Sequence, residues 1–132
     1  MTAQSGDSSW MLELIRTVRG VKHVVVLSAD GLLKVRTDHT PADVADKLAA
    51  ACAGLASLGH GISKEFGSGV VPRQVLVEFD GGFLFVRGAG DGSRLAVVTE
   101  PVIDPALVAQ QMQAQVLVIG ERTLSTPTRT GG

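Results

Sequence analysis

The sequence predicts an α+β domain: one five-stranded antiparallel sheet flanked by helices on both faces, in the order αββαβββα. Hairpin signals at Ala29-Asp30-Gly31, Asp80-Gly81-Gly82 and Gly90-Asp91-Gly92 each sit between short apolar runs, where Gly accepts the positive φ of a tight, primed turn. A long Ala-rich stretch of helical spacing separates the first hairpin from the other two. Further helical patterns open and close the chain.

The first helix is expected to begin at Ser8 or Ser9, whose hydroxyls suit an N-cap, and to bury Trp10, Met11, Leu14, Ile15 and Val18 as one stripe. Gly20 ends it as a C′ residue. His23-Val24-Val25-Val26-Leu27 is apolar on both alternating faces and reads as a central strand covered on both sides. Beyond the turn, Leu33 and Val35 alternate with Lys34 and Arg36, a pattern that suits an edge strand.

The second helix is expected to start at Thr40 with Pro41 at its first position, and acids Asp43 and Asp46 favour the positive end of its dipole. Running to Phe66, it would be about 39 Å long. Val44, Leu48, Cys52, Leu55, Ile62 and Phe66 form a stripe expected to pack on the sheet, while Ala45, Ala49, Ala53 and Ala56 form a second, small-residue stripe. Small side chains permit close backbone approach, so this second face is read as a helix–helix contact between subunits. The plainer alternative is that Ala and Gly are simply abundant and the helix breaks near Gly59.

Three strands follow. Gln74 to Phe79 is half polar and reads as an edge, while Phe83 to Arg87 and Arg94 to Thr99 are apolar on both faces, as inner strands are. Asp104-Pro105 opens the last helix by cap and first-turn chemistry, with Val108, Met112, Val116 and Ile119 as its buried stripe and its polar neighbours turned to water.

At 132 residues the chain fits one domain able to bury about two-thirds of its unfolded surface. The expected organisation is a flexible N-terminus over 1–8, a folded body over 9–121 and a flexible tail over 122–132, rich in Ser, Thr, Gly and Pro. Twelve basic and thirteen acidic side chains leave a net charge of −1, which gives no footprint for nucleic acid. The single cysteine, Cys52, excludes an intramolecular disulfide and a cysteine-based zinc site, and suits a reducing compartment. No secretory signal pattern opens the chain and no apolar run approaches the roughly 18 residues of a membrane span. A cytoplasmic protein without membrane insertion is expected.

The residues of catalysis are scattered. Serines sit in caps and turns with no nucleophile-elbow signature, and His23, His39 and His60 lack metal-ligand spacing. Cys52 reads as a buried structural thiol. Gly88-Ala89-Gly90-Asp91-Gly92 lacks the Lys and Ser/Thr of a phosphate loop and leads into no helix, so a hairpin explains it. Asp30, Asp80 and Asp91 directly precede Gly and are turn residues. No catalytic residue, metal or cofactor is expected.

Ser9-Trp10-Met11-Leu12, the run from Gly20 to Leu33 containing Val24-Val25-Val26-Leu27-Ser28-Ala29-Asp30-Gly31, and Asp80-Gly81-Gly82-Phe83-Leu84-Phe85-Val86 resemble the roadblock, or dynein light-chain-like, family with its profilin-like fold. The resemblance spans about Ser9 to Glu121. It is strongest to small bacterial members encoded in actinobacterial conserved cassettes beside a sensor kinase-like protein and a Ras-like GTPase. It implies a homodimer, or a heterodimer with a paralogue, in which long helices meet and one sheet edge pairs with its mate. It also implies a small-GTPase partner, and a sensor kinase-like protein as a further one. A gliding-motility member of the family activates hydrolysis by its GTPase, although no arginine-finger motif is evident in this chain. Carried onto this sequence, the paired edge is the strand around Val75 and Val77, and the helical seam includes Ala49, Ala53 and Ala56. The function so implied is a non-enzymatic dimeric adaptor that modulates a Ras-like GTPase in a signalling complex. The alternative class is a small-molecule-sensing α/β module with a ligand held between sheet and helix.

Overall fold

The computed structural model describes residues 9–125. A single 3₁₀ turn, Ser9–Met11, precedes β1 (Val21–Leu27), β2 (Leu33–Arg36), α1 (Ala42–Phe66), β3 (Gln74–Phe79), β4 (Gly82–Gly88), β5 (Arg94–Thr99) and α2 (Pro105–Ser125). The five strands form one antiparallel sheet in the order β2-β1-β5-β4-β3. β1, β5 and β4 are the inner strands and β2 and β3 the edges, as the polarity of their side chains predicts.

Each face of the sheet carries its own core. On one face α2 and the N-terminal segment cover Val24, Val26, Phe85, Leu95 and Val97, with Met11, Ile15, Val108, Met112 and Ile119 packed among them. On the other, α1 covers Val25, Leu27, Leu84, Val86 and Ala96. Successive residues of a strand point to opposite faces, so Val24-Val25-Val26-Leu27 feeds both cores at once.

Two hairpins share a three-residue loop. Ser28 N–H donates to Leu32 O while Gly31 N–H donates to Ser28 O, and Ala89 and Gly92 repeat this pattern with Ser93 and Ala89. Gly31 (φ 89°) and Gly92 (φ 91°) take the left-handed position that closes such a loop. The expected two-residue turn therefore occurs only between Phe79 and Gly82, which face each other across β3 and β4. Even there the positive φ belongs to Gly81 (115°) and Gly82 (157°) and not to Asp80, so the turn is not the both-positive primed type.

The segment after Ser9 is not the expected helix. Beyond the 3₁₀ turn it proceeds as a run of turns to Gly20. Its irregularity has a definite cause in Gln115 of α2, which is fully buried. The amide nitrogen of Gln115 donates to Trp10 O (3.1 Å), and its oxygen accepts from Leu14 N–H (2.7 Å) and Ile15 N–H (3.3 Å). A side-chain amide thus stands between a carbonyl and the N–H four residues on that would bond directly in an α-helix. Gln115 lies at helical spacing between Met112 and Ile119, on the apolar stripe and not among the polar neighbours turned to water.

α2 begins as expected: Ala106 and Leu107 N–H donate to the Asp104 carboxylate (3.1 and 3.2 Å). It continues past Glu121 to Ser125, so residues 122–125 are helical where a flexible tail was expected. The Arg122 guanidinium lies 4.1 Å from the centre of the Trp10 ring, which ties the end of the helix to the N-terminal segment. The expected flexible ends at 1–8 and 126–132 lie outside the described residues.

Candidate interaction surface

α1 is one unbroken helix of 25 residues through Gly54, Gly59 and Gly61. Thr40 does not cap it, since the helix starts at Ala42 with no side-chain cap. Thr40 is instead buried beneath its first turn, where its hydroxyl meets His23 Nδ1 (2.8 Å) and the Thr37 hydroxyl, and its carbonyl accepts from the Arg36 guanidinium (2.9 Å).

The sheet-facing side of α1 is drawn from both stripes: Cys52, with Leu48 and Leu55 packed partly beside it, lies there as expected, the alanines of the small-residue stripe lie there too, and Val44, Ile62 and Phe66 do not. Ala45, Ala49, Cys52 and Ala56 face the sheet and are buried there, Ala49 to 2% exposure and Ala56 to 6%. Ala53 is half-buried against the β1–β2 hairpin, its Cβ 3.1 Å from where a Cβ on Gly31 would stand. Ala49 and Ala56 are therefore core residues of the protomer and present no surface to a second copy. Their small size lets α1 lie close on the strands, so the larger apolar residues of the helix are turned outward. Ile62 is 62% exposed, Leu58 69% and Phe66 83%, with Val44 partly exposed on the same side. The signal for this was in the sequence: both stripes are visible at helical spacing, and the stripe expected on the sheet holds for Leu48, Cys52 and Leu55 and fails for Val44, Ile62 and Phe66.

Val75 and Val77 lie on the α1 side of β3 and pack partly under the helix. β3 pairs with β4 on one side only, so among the described residues its other backbone edge has no strand beside it. The loop between α1 and β3 holds the two together: His60 Nε2 donates to Gly69 O (3.0 Å), and Pro72 stands 3.0 Å from the Cβ position of Gly59. Exposed Val70, with Val71, Leu76 and Phe79, extends the apolar surface along the same edge. An apolar helix flank and an unpaired strand edge are thus neighbours, a combination sequence reasoning reached for the strand and missed for the helix.

The reactive side chains are engaged structurally. Burial pushes the Cys52 thiol up to about 12, far from the thiolate that a nucleophile needs. Asp30 and Asp91 accept from serines of their own turns, Ser28 and Ser93. His23 and His39 lie 5.5 Å apart between ring centres, with His39 Nε2 bonded to Lys22 O. Among the described residues no group of three or more possible metal ligands gathers. No described helix is long and apolar enough to cross a membrane.

Burial, then His39 and then Lys22, hold His23 below its ordinary pKa. A group whose pKa is lowered by folding favours the neutral form in the folded state, so its contribution to stability is complete above the unfolded value of about 6.5 and is lost as pH falls below it. Urea midpoints are expected to drop between pH 7.5 and 5.5, and His23→Gln is expected to flatten that slope. An unchanged slope in His23→Gln would place the pH sensitivity elsewhere.

No curated protein matches the sequence. Among solved structures, a Roadblock/LC7 domain from Streptomyces avermitilis is 36% identical, with 89% of this chain and 97% of that one covered at a TM-score of 0.81. Myxococcus xanthus MglB is 17% identical over 92% of this chain and 87% of its own, with a TM-score of 0.76. Profilin IB of Acanthamoeba castellanii shares the fold at 14% identity and a TM-score of 0.60, with 85% of this chain and 94% of that one covered. The model of the Roadblock/LC7 domain matches residues 10–99, from the buttressed N-terminal segment to the last strand, and the chain belongs to that family.

Proposed function

We propose that this protein is a non-enzymatic regulatory subunit that pairs with a second copy or a paralogue and, as a pair, binds a Ras-like small GTPase. The observation that carries the reading is the continuous surface formed by Leu58, Ile62 and Phe66 of α1 beside the unpaired edge of β3. Large apolar side chains exposed together on one flank suit a partner surface, and an open edge supplies ready-made backbone donors and acceptors. Pairing β3 with its mate would join two sheets into one and bring the two α1 flanks together. In this arrangement Val75 and Val77 sit at the junction, and the helical seam is made by Ile62 and Phe66 in place of the alanines. Ala53, half-buried against the hairpin, stays out of it.

Such a pair acts on a GTPase by preferring one nucleotide state, since differential affinity is what shifts a conformational population. The family membership supports an adaptor role. A sensor kinase-like protein is a further partner by the same reading.

Light scattering of the wild type is expected to give a dimer. Ile62→Asp should weaken self-association about thirtyfold or more, because a carboxylate would be buried at the centre of the seam. Proline at Val75 or Val77 should reduce it too, by deleting a backbone donor from the strand. Titration with a Ras-like GTPase from an actinobacterial cassette, loaded with GDP or with a non-hydrolysable GTP analogue, is expected to show binding to one form over the other. A wild type that remains monomeric at high concentration would overturn the pairing, and equal lack of binding in both nucleotide states would overturn the regulatory role.

A further inference from the structure

A second surface of α1 has a different chemistry. Ala53, Ala56, Ser57 and His60 recur at helical spacing on the side of the helix away from Ile62 and Phe66. Opposite them are the ends of β1 and β5, and between helix and strands lies a cleft of about 210 Å³. The contact of Ala53 with the Gly31 position closes it at one end. Leu27, Ala29 and Ala56 form apolar walls, and Ser57, His60 and Arg94 bring polar groups to it.

Arg94 is the unusual member. It begins β5 opposite Leu27 and Gly88 and shares the α1 side of the strand with Ala96. Gly88 contributes no side chain there, and the position its Cβ would take is open. Arg94 is half-buried, and among the described residues its side chain donates from Nη1 to Gly92 O at 3.3 Å. Among the described residues the only ion pair is Arg16 with Glu13, so no described carboxylate lies within salt-bridge distance of Arg94. Arginine cannot shed its charge, and its fixed fork of donors matches the oxygens of a phosphate or carboxylate.

We infer that this cleft binds a small oxyanion, with the Arg94 guanidinium as the charged partner and the Ser57 hydroxyl as a second donor. The space equals the share of about seven liquid waters. That accommodates a phosphate or a carboxylate bearing a few carbons, and it is smaller than the pockets that bury drug-sized ligands. The apolar walls raise the strength of the ion pair by displacing water from one side of it. The ligand chemistry is shared by phosphate and carboxylate groups, which the test separates.

The experiment is an NMR titration of the full chain with inorganic phosphate and, separately, with acetate, at constant ionic strength. Saturable shifts are expected at Ser57, His60 and the Arg94 side-chain N–H at millimolar anion. Saturation with phosphate alone identifies a phosphate site, and saturation with acetate identifies a carboxylate site. Arg94→Met should weaken binding about tenfold or more, the loss typical of one charge-assisted pair, while Arg94→Lys keeps part of it. Arg19→Met, at an exposed position far along the chain, should leave it unchanged. Thermal unfolding checks that each variant folds. If Arg94→Met does not fold, Ser57→Leu, an exposed helix position, fills the cleft and should abolish the shifts.

The inference is overturned if neither anion saturates, or if the folded Arg94→Met variant or Ser57→Leu binds like the wild type. Binding should persist in Ile62→Asp, so failure here and failure of the pairing are read separately.

Discussion

Gly82→Ala is expected to be the most damaging single methyl in the protein. A Cβ at this position would stand 1.9 Å from Thr99 O, with the Thr99 carbonyl carbon at 3.0 Å. Both atoms are backbone of β5, which is bonded to β4 on one side and β1 on the other, so neither can withdraw without opening the middle of the sheet. The cost is expected to be about 4 kcal/mol or more, at the severe end for point substitutions. Set against a total of about 5–15 kcal/mol for a domain of ordinary stability, that removes much of the folded margin. Gly81→Ala is the comparison. Its Cβ would meet only the Phe79 ring at 3.9 Å, and it carries the strain of φ 115° alone, about 1–2 kcal/mol. Urea unfolding followed through Trp10, the one tryptophan, separates the two. Equal midpoints for both variants would show that β5 yields where its position between two strands says it cannot.

Gln115→Leu is expected to cost about 3 kcal/mol by a different route. Leucine keeps most of the volume, so packing against Met112 and Ile119 survives. What it leaves behind are the Leu14 and Ile15 N–H groups without their acceptor, while the Trp10 carbonyl keeps only the long 3.5 Å bond from Glu13 N–H. An orphaned buried polar group costs about 1–3 kcal/mol, and the loss is reduced where water can reach part of the segment. Amide exchange should quicken selectively at Leu14 and Ile15, and Trp10 fluorescence should shift as its backbone anchor is lost. Gln115→Glu at high pH gives a second test, since a carboxylate keeps the acceptor for two N–H groups and loses the donor to Trp10. Exchange at Leu14 and Ile15 unaltered in Gln115→Leu would mean that the segment closes its own helical bonds once the side chain is gone.

The sheet was legible because its rules are local. Alternation at Leu33 to Arg36 and at Gln74 to Phe79 marks a strand with one side in water, and uninterrupted Val24-Val25-Val26-Leu27 marks one with none, so edges and centre follow from the order of side chains. The Asp104 cap is legible for the same reason, its acceptor lying within one turn of the donors it serves.

What was not legible depends on distance. Gln115 reaches residues about a hundred positions away, and on its own helix nothing separates a glutamine aimed at solvent from one aimed at Leu14. The faces of α1 present a related ambiguity. Two stripes of apolar character both fit a sheet, and how closely the helix can approach decides the outcome, with Cys52 of one stripe and the alanines of the other sharing the side that meets the strands. Arg94 was read as a strand residue, which it is. That its guanidinium would share a cleft with Ser57 and His60 depends on the sheet register and on the bare Gly88 beside it.

The two rims of the sheet are unequal, and this limits what sheet extension can build. β2 offers four residues, carries Lys34 and Arg36, and is bent by a register shift between Val26 and Leu27 of its neighbour. β3 is longer, carries no such cations and lies beside the apolar flank. A chain with two matching rims could add copies without end, whereas one receptive rim and one blunt, cationic rim stop growth after a single addition. In the proposed pairing, growth beyond two copies is therefore blocked at β2, the rim opposite the one that joins.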